Sequence, residues 1–242
     1  MAARSEGPYR PAMNAHDPKQ VAGRRAAELV QDGMTLGLGT GSTVFHTLVR
    51  LGERIRAEGL RVRGVPTSVD TERKARELGI ELATLAEVEH LDLTIDGADE
   101  IDGRFDMIKG GGGALLREKV VASISRREAI VAGPEKVVER LGTTFKLPVE
   151  VVPFARAVVE RKLASFGCQP HLRRAKDGGD YLTDNGNEIL DCHFPSGIAD
   201  ARALELAIDA LPGVVESGLF IGLAHVLVIG HPDGRAEVRE RR

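Results

Sequence analysis

Short apolar segments alternate with helical stretches over the first 140 residues, and this alternation limits the possible folds more than any other feature of the sequence. The predicted strands are the apolar start of MTLGLGTGST (residues 34–43) and residues 60–65, 81–85, 91–95 and 128–132. The predicted helices cover residues 18–30, 44–58, 69–78, 114–124 and 134–141. This order is typical of an α/β fold, a mostly parallel sheet covered by helices on both faces.

The pattern changes after Gly142. A strand at 147–152, a helix at 155–166, the segments HLRRA and YLTDNGNEILDCHF, a helix at 200–211 and a strand at 214–220 give a β-α-β-β-α-β order. This order predicts a second, smaller ferredoxin-like α+β domain, and Asn185-Gly186 is a hairpin-turn signal. The apolar run HVLVIG is expected to return to the first sheet. We predict a mobile tail at 1–16, beginning at Met1 or Met13, a catalytic domain of 17–143 plus 223–242, and the smaller domain at 144–222.

The composition excludes several classes of partner. The chain has 33 lysines and arginines against 36 aspartates and glutamates, a net charge of −3, so no overall field attracts nucleic acid or an anionic membrane. No apolar run approaches the roughly 20 residues of a membrane span, and the N-terminus lacks the apolar stretch of a secretory signal. Cys168 and Cys192 are too few for a disulfide framework. We expect free thiols and a cytoplasmic protein.

The segment Gly37-Leu38-Gly39-Thr40-Gly41-Ser42-Thr43 stands between a predicted strand and a predicted helix. Its glycines allow close backbone approach, and a helix N-terminus offers unpaired N–H groups, so a phosphate ester would fit here. A tight turn in which Ser42 or Thr43 caps the helix is an equally good interpretation. A dinucleotide site is disfavoured because Ser42 replaces the third glycine of that fingerprint.

Acidic residues follow the predicted strand that ends at Ile95, in the run Asp96-Gly97-Ala98-Asp99-Glu100-Ile101-Asp102. Ligands of open α/β sheets bind beyond the carboxyl ends of the strands, so this run falls at the functional edge. Its carboxylates could accept sugar hydroxyls, move protons or hold a divalent metal. The spacing matches no EF-hand, and no histidine is near enough to complete a transition-metal site. A solvated Asp/Gly turn is the alternative.

A run of four glycines, Lys109-Gly110-Gly111-Gly112-Gly113, opens the predicted helix that contains Glu118. Such a run is costly in backbone entropy, and a concave array of N–H groups that holds an anion would explain it. The helical neighbours of Glu118 are the apolar residues Ala114, Leu115, Val121 and Ala122. Desolvation on that face should raise the pKa of its carboxyl toward that of a general base. A surface ion pair with an arginine is the alternative.

Lys136 is predicted in the first turn of a helix, in the segment Ala132-Gly133-Pro134-Glu135-Lys136. The helix dipole disfavours a cation at that position, so a bound anion could compensate for it. A solvated lysine is an equally good interpretation.

The segments GLGTGST, TIDGADEID, KGGGGALLREK, LPVEV and TDNGN occur in an order that resembles ribose-5-phosphate isomerase of type A. The resemblance extends from about Lys19 to Asp233, and it departs from the family at Gly113, where alanine is frequent. It implies an aldose–ketose isomerase of the non-oxidative pentose phosphate pathway that converts D-ribose 5-phosphate to D-ribulose 5-phosphate without metal or organic cofactor. It also implies a homodimer or homotetramer that associates through the smaller domain.

Carried over residue by residue, the resemblance makes Glu118 the proton acceptor and Asp96, Asp99 and Lys109 further catalytic groups. The implied substrate-binding residues are Lys19, Thr40, Gly41, Ser42, Thr43, Asp96, Gly97, Ala98, Asp99, Lys109, Gly110, Gly111, Gly112 and Lys136.

The chemistry of these residue types agrees with that reaction. A carboxylate can remove the proton alpha to the carbonyl and return it to the neighbouring carbon, while Lys109 and the glycine amides stabilise the enediolate oxygen. Asp96 and Asp99 could orient hydroxyls, assist ring opening or move the proton between the two oxygens. Two other functions remain open: a phosphosugar-sensing binding protein, and an enzyme of the same broad fold that acts on another phosphosugar or an acyl carrier. A binding protein would not need Glu118 on an apolar helix face.

Overall fold

The structure, a computed structural model, describes residues 16–241. The predicted tail at 1–16 lies outside the described residues except for His16, whose N–H donates to the carbonyl of Pro232 at 2.9 Å. The choice between Met1 and Met13 as the start also lies outside them. Of the helices that the structure describes, none is long and apolar enough to cross a membrane.

The chain alternates between strands and helices. The helices are α1 (Pro18–Ala27), α2 (Ser42–Glu58), α3 (Val69–Glu77), α4 (Leu115–Ser123), α5 (Arg156–Ala164) and α6 (Ala201–Asp209). The strands are β1 (Thr35–Leu38), β2 (Arg63–Pro66), β3 (Glu81–Leu82), β4 (Leu93–Gly97), β5 (Glu100–Ile101), β6 (Met107–Ile108), β7 (Glu128–Ala132), β8 (Leu147–Val151), β9 (Gln169–Leu172), β10 (Glu188–His193), β11 (Val214–Ser217), β12 (Leu219–Phe220), β13 (Val226–Gly230) and β14 (Ala236–Glu240).

A seven-stranded sheet has the order β14-β13-β7-β4-β1-β2-β3. Its neighbours are parallel, except that β14 is antiparallel to β13. Leu36 of β1 packs with Leu48 of α2 in one core cluster. A Cβ on Gly37, which faces the other way, would lie 2.6 Å from Val121 of α4. Helices therefore cover both faces, and the predicted α/β class is confirmed, including the return of the last apolar run beside β7.

A four-stranded sheet has the order β11-β8-β10-β9, with every neighbouring pair antiparallel. Together with α5 and α6 it has the β-α-β-β-α-β order that the sequence predicts. The boundaries of a separate domain at 144–222 stay a prediction.

A three-stranded sheet, β12-β6-β5, was not predicted from the sequence. The predicted strand 214–220 divides at Gly218 into β11 and β12, which belong to different sheets. The Gly218 N–H donates to Pro148 at 2.7 Å, and its carbonyl accepts from the Lys109 N–H at 2.9 Å. A Cβ on Gly218 would lie 2.5 Å from the Lys109 carbonyl oxygen, so this crossing needs glycine.

The predicted helix at 134–141 is wrong. Pro134–Lys136 form only a short 3₁₀ turn, after which the Val138 N–H donates to the carbonyl of Ile101 at 2.9 Å. Extended pairing with a distant strand overrides a weak local preference, because Val137 and Val138 are β-branched.

The turn at Asn185-Gly186 forms, but it does not directly join two strands. It lies at the end of the connection 173–187 between β9 and β10, where the Gly186 N–H donates to Thr183 at 2.9 Å. Its side chains surround the buried Glu150, whose Oε1 accepts from Thr183 Oγ1 at 2.9 Å, Asn185 Nδ2 at 3.1 Å and Asn187 Nδ2 at 2.9 Å. The TDNGN segment therefore supplies the hydrogen-bond donors for a buried carboxylate of the LPVEV segment.

Candidate active site

One cleft collects most of the predicted site residues at the carboxyl ends of β1, β4 and β7. Its lining includes the predicted residues Lys19, Thr40, Gly41, Ser42, Thr43, Gly97, Ala98, Asp99, Lys109, Gly110, Gly111, Gly112, Glu118 and Lys136. Asp96 is the exception, since it is fully buried beneath the lining. The remaining lining residues are Val44 and Val131, which the sequence did not single out, and Ala132, Gly133 and Glu135, which belong to the candidate segment around Lys136.

Asp96 lies in β4 and holds neighbouring segments together. Its Oδ1 accepts from the Thr40 N–H at 3.1 Å and from the Gly97 N–H at 2.7 Å, and its Oδ2 lies 3.0 Å from Lys109 Nζ. A Cβ on Gly39 would lie only 2.2 Å from Asp96 Oδ1. The glycine-rich loop after β1 therefore packs directly on this carboxylate.

Lys109 is the buried cation of the cleft. Its Nζ donates to the Gly97 carbonyl at 2.5 Å and lies 3.3 Å from Glu118 Oε2. Burial lowers the pKa of Lys109, but the negative charges of Asp96, Glu118 and Glu128 together raise it above its usual value. The ammonium group therefore stays charged, which makes it a fixed source of positive potential next to Glu118.

Glu118 lies in the first turn of α4 with only 4% of its surface exposed. Its apolar neighbours Leu115 and Val121 are buried as well. Burial raises the pKa of Glu118 to about 8, and the charges of Asp96 and Asp99 add to that effect while Lys109 opposes it. The ion-pair partner is the buried Lys109 and not a surface arginine. A carboxyl of this kind can take up and release a proton near neutral pH.

The glycine run curves around Asp99. The Gly111 N–H donates to Asp99 Oδ2 at 2.7 Å, and the Gly113 N–H donates back to Gly110 at 2.9 Å. Gly110 has φ of +99°, a conformation that other residues rarely adopt. Burial raises the pKa of Asp99, and the Gly111 amide and Lys109 moderate that rise.

The other end of the cleft carries N–H groups and lysines that can bind an anion. Gly41 is the N-cap of α2 with φ of +123°, and no side chain caps the helix. The first N–H groups of α2 therefore remain available, and the interpretation of Ser42 or Thr43 as a cap is wrong. Lys19 Nζ donates to Ser42 Oγ at 3.0 Å, which brings a cation to the same helix terminus. Lys136 lines the cleft with its Nζ 5.8 Å from the centre of the Phe145 ring.

The Thr40 hydroxyl is occupied by a network that sequence reasoning missed. Thr40 Oγ1 lies 2.8 Å from the hydroxyl oxygens of both Thr67 and Ser68 and 3.2 Å from that of Thr71. Ser68 is also the N-cap of α3, so a Thr-Ser pair before a helix was the available signal. These hydroxyl groups hold the glycine-rich loop that follows β1 in place.

Residues 16–241 contain no group of three or more His, Cys, Asp or Glu side chains that could hold a metal ion. The positive charge that the cleft can offer to a ligand comes from lysines and backbone N–H groups.

Comparison with known proteins gives a consistent result. A family model described as ribose 5-phosphate isomerase A (phosphoriboisomerase A) matches residues 63–234. The chain is 50% identical over 228 residues to a Ruegeria pomeroyi protein named ribose-5-phosphate isomerase A, which covers 92% of this chain and 86% of that one.

Two solved structures are similar over nearly the whole chain. Ribose 5-phosphate isomerase A from Methanocaldococcus jannaschii has a TM-score of 0.87 and 39% identity, covering 92% of this chain and 97% of its own. A D-ribose-5-phosphate isomerase in complex with phospho-erythronic acid has a TM-score of 0.90 and 34% identity, covering 95% and 100%.

Proposed function

Since the chain belongs to the ribose 5-phosphate isomerase A family, we propose that Glu118 is the base with which it interconverts D-ribose 5-phosphate and D-ribulose 5-phosphate. The observation that carries this role is a buried carboxyl with a raised pKa that lines the cleft beside a fixed ammonium group. Two carbons of the open-chain sugar exchange a proton in this reaction, and one carboxylate can serve both.

The phosphate of the substrate binds at the N-terminus of α2. The free N–H groups of that helix, the Ser42 and Thr43 hydroxyls and the Lys19 ammonium support this assignment, because helix N-termini and lysines both bind phosphate. Lys136 contributes charge from the facing wall. With the phosphate fixed, C1 and C2 of the sugar lie near Glu118.

The reaction begins when the Glu118 carboxylate removes the proton from C2 of the aldose. The C2 electron pair forms a C1=C2 double bond, and the carbonyl π electrons move to O1, which becomes the enediolate oxygen. Lys109 and the Gly112 amide stabilise that negative charge. Glu118 then returns its proton to C1, while the O2 hydroxyl proton moves to O1, which leaves the ketone at C2.

The two aspartates have different roles in this proposal. Asp96 does not reach the cleft, and its contacts with Lys109, Thr40 and Gly97 support a positioning role. Asp99 lines the cleft, and burial raises the pKa of its carboxyl, which suits a group that moves the hydroxyl proton between O2 and O1.

The proposal also includes a cytoplasmic location and a homodimer or homotetramer. Cys168 and Cys192 are free thiols, as expected of a reducing compartment. Phe154, just before α5, has 99% of its surface exposed, and Val158 on α5 is exposed as well. A second copy of the chain would cover these apolar side chains. We expect light scattering to detect an oligomer that Phe154→Glu dissociates, and a wild-type monomer at micromolar concentration would contradict this part of the proposal.

The base is tested by Glu118→Gln, with proton NMR of ribose 5-phosphate in D₂O as the assay. The wild-type enzyme should form ribulose 5-phosphate and introduce solvent deuterium at the reacting carbon. The variant should bind the phosphosugar, visible as line broadening, without turnover or exchange.

Glu89→Gln is the matched control, because Glu89 is exposed and lies outside the cleft. Its turnover should equal that of the wild type. Near-normal turnover in Glu118→Gln would exclude Glu118 as the base.

A further inference from the structure

The carbonyl oxygens of the glycine run are held by two side chains from the connection between β9 and β10. Arg173 Nη1 donates to the carbonyl of Gly110 at 2.9 Å and to that of Gly111 at 3.2 Å. The Tyr181 hydroxyl donates to the carbonyl of Gly112 at 3.2 Å. Three successive carbonyls of the run are therefore bonded by the same pair of residues.

Because the peptide bond is planar, a hydrogen bond to a glycine carbonyl also fixes the direction of the N–H group in the same peptide. In a trans peptide the C=O and N–H groups point in opposite directions, so a held carbonyl fixes the direction of the next N–H. The Gly110 carbonyl belongs to the same peptide as the Gly111 N–H, which donates to Asp99 Oδ2 at 2.7 Å. The Gly111 carbonyl belongs to the same peptide as the Gly112 N–H, which donates no hydrogen bond within residues 16–241 and lies in the cleft wall.

Arg173 is itself rigidly held. Asp191 on β10 binds it through two hydrogen bonds, Nε to Oδ2 at 2.9 Å and Nη2 to Oδ1 at 2.5 Å. The Arg173 guanidinium also lies 5.6 Å from the centre of the Tyr181 ring, and its side chain is only 13% exposed. A planar guanidinium that is held along one edge and packed against an aromatic ring keeps its remaining Nη1 donor in a fixed direction.

Gly113 is what allows Tyr181 to come this close. Its φ is +82°, and a Cβ at this position would lie 2.0 Å from Tyr181 Oη. Gly113 is also the position at which the sequence departs from the alanine that is frequent in the family. The glycine and the tyrosine are therefore sterically matched in this chain.

We propose that Arg173, with Tyr181 packed on its guanidinium, is a positioning residue that orients the Gly112 amide toward the enediolate oxygen. We call the two side chains the carbonyl clamp. The inference rests on the proposed role of that amide in catalysis, and it assigns no contact with the substrate to either clamp residue.

The clamp is tested by Arg173→Met, with kcat and KM for ribose 5-phosphate, inhibition by inorganic phosphate and binding of phospho-erythronic acid as readouts. Small displacements of catalytic donors reduce rates steeply, so kcat should fall about 10- to 100-fold. Binding of phospho-erythronic acid, whose carboxylate resembles the enediolate oxygens, should weaken by at least about 10-fold. Inhibition by inorganic phosphate should change less than about twofold, because the phosphate end does not touch the clamp. Arg173→Lys should be intermediate.

Arg174→Met is the matched control. Arg174 is the next residue in the chain, its side chain is 59% exposed, and its partner is the surface residue Asp180. This variant should keep wild-type kcat.

A second set of variants tests the clamp if Arg173→Met does not fold. Gly113→Ala should lower kcat, because the new methyl displaces Tyr181 from the Arg173 guanidinium. Adding Gly113→Ala to Tyr181→Val should lower kcat by less than adding it to the wild type, because the colliding ring is gone and only the strain of an alanine at φ +82° remains.

Unchanged kcat in Arg173→Met with an active wild type would overturn the clamp and leave the proposed function intact. Equal weakening of phosphate and phospho-erythronic acid would also overturn it, since that pattern indicates a merely structural role. A wild-type enzyme that does not isomerise ribose 5-phosphate would instead overturn the proposed function.

Discussion

The pH dependence of kcat/KM should follow the titration of Glu118 in the free enzyme. The buried site holds one ammonium group, Lys109, between two carboxyls, Asp96 and Glu118. Burial raises the pKa of Glu118 to about 8, and the negative charges of Asp96 and Asp99 add to that effect while Lys109 opposes it. The base must be ionised to accept the proton, so activity rises with pH.

The magnitude follows from that pKa. A carboxyl with a pKa of about 8 is about 9% ionised at pH 7 and about 91% ionised at pH 9. We therefore expect kcat/KM to rise about tenfold between pH 7 and pH 9 and then to level off. An unperturbed glutamate would give a flat profile over this range, because its ordinary pKa of 4.5 leaves it fully ionised.

The assay measures initial rates of ketose formation at substrate concentrations well below KM and at constant ionic strength. The range starts at pH 7 because a phosphate ester titrates near pH 6. Asp96→Asn tests the cause, since loss of that negative charge should move the inflection to lower pH. A flat wild-type profile between pH 7 and pH 9, or an inflection moved to higher pH in Asp96→Asn, would refute the electrostatic reasoning.

Three further predictions concern stability and cofactors. Burial raises the pKa of Glu128 to about 7 from an ordinary 4.5, so the stability that its protonated form provides is lost as pH rises through that interval. In urea unfolding, the free energy of unfolding of Glu128→Gln should therefore rise relative to that of the wild type by about 2–3 kcal/mol between pH 5 and pH 8. An equal difference at both pH values would contradict this. Glu100 accepts hydrogen bonds from three backbone N–H groups and one hydroxyl. Glu100→Gln should lower the free energy of unfolding by about 2–4 kcal/mol, because the NH₂ group of the new amide would face one of these donors. An unchanged urea midpoint would count against that account. Exhaustive chelation should leave the rate unchanged, because Lys109 and the Gly112 amide stabilise the enediolate charge. A rate that is lost to chelator and restored by a divalent ion would disprove this.

The main sheet and the cleft were predictable from local patterns. Parallel strands with both faces covered appear in the sequence as apolar runs, and three of the four candidate motifs follow one of them directly. The glycine run after Lys109 is the exception, because it follows β6 of the small antiparallel sheet. The raised pKa expected for Glu118 needed only its apolar neighbours at helical spacing, and those neighbours are buried. The same local reasoning treated Asp96 and Asp99 alike, although Asp96 lies within β4 and is covered while Asp99 is beyond its end.

The remaining features depend on contacts between distant segments. The helix predicted at 134–141 is displaced by the pairing of Val138 with Ile101, and the division at Gly218 depends on Pro148 and Lys109. Arg173 contacts carbonyls about 60 residues earlier in the chain. Such pairings leave no periodic signal in the sequence of either segment, because the conformation that a segment adopts depends on the distant segment with which it pairs.

The order of synthesis does not match the order of assembly at this site. Every predicted site residue lies between Lys19 and Lys136, but Lys109 directly follows β6, whose partner β12 begins at Leu219. Strand β7 likewise pairs with β13, which begins only at Val226. On the ribosome, Lys109 and Glu118 therefore emerge roughly 100 residues before the strands that fix them, a delay of about 5–20 s at about 5–20 residues per second. Until then Lys109 and its two carboxyls are hydrated side chains with ordinary chemistry, and the nascent chain becomes an enzyme only when its last quarter is in place.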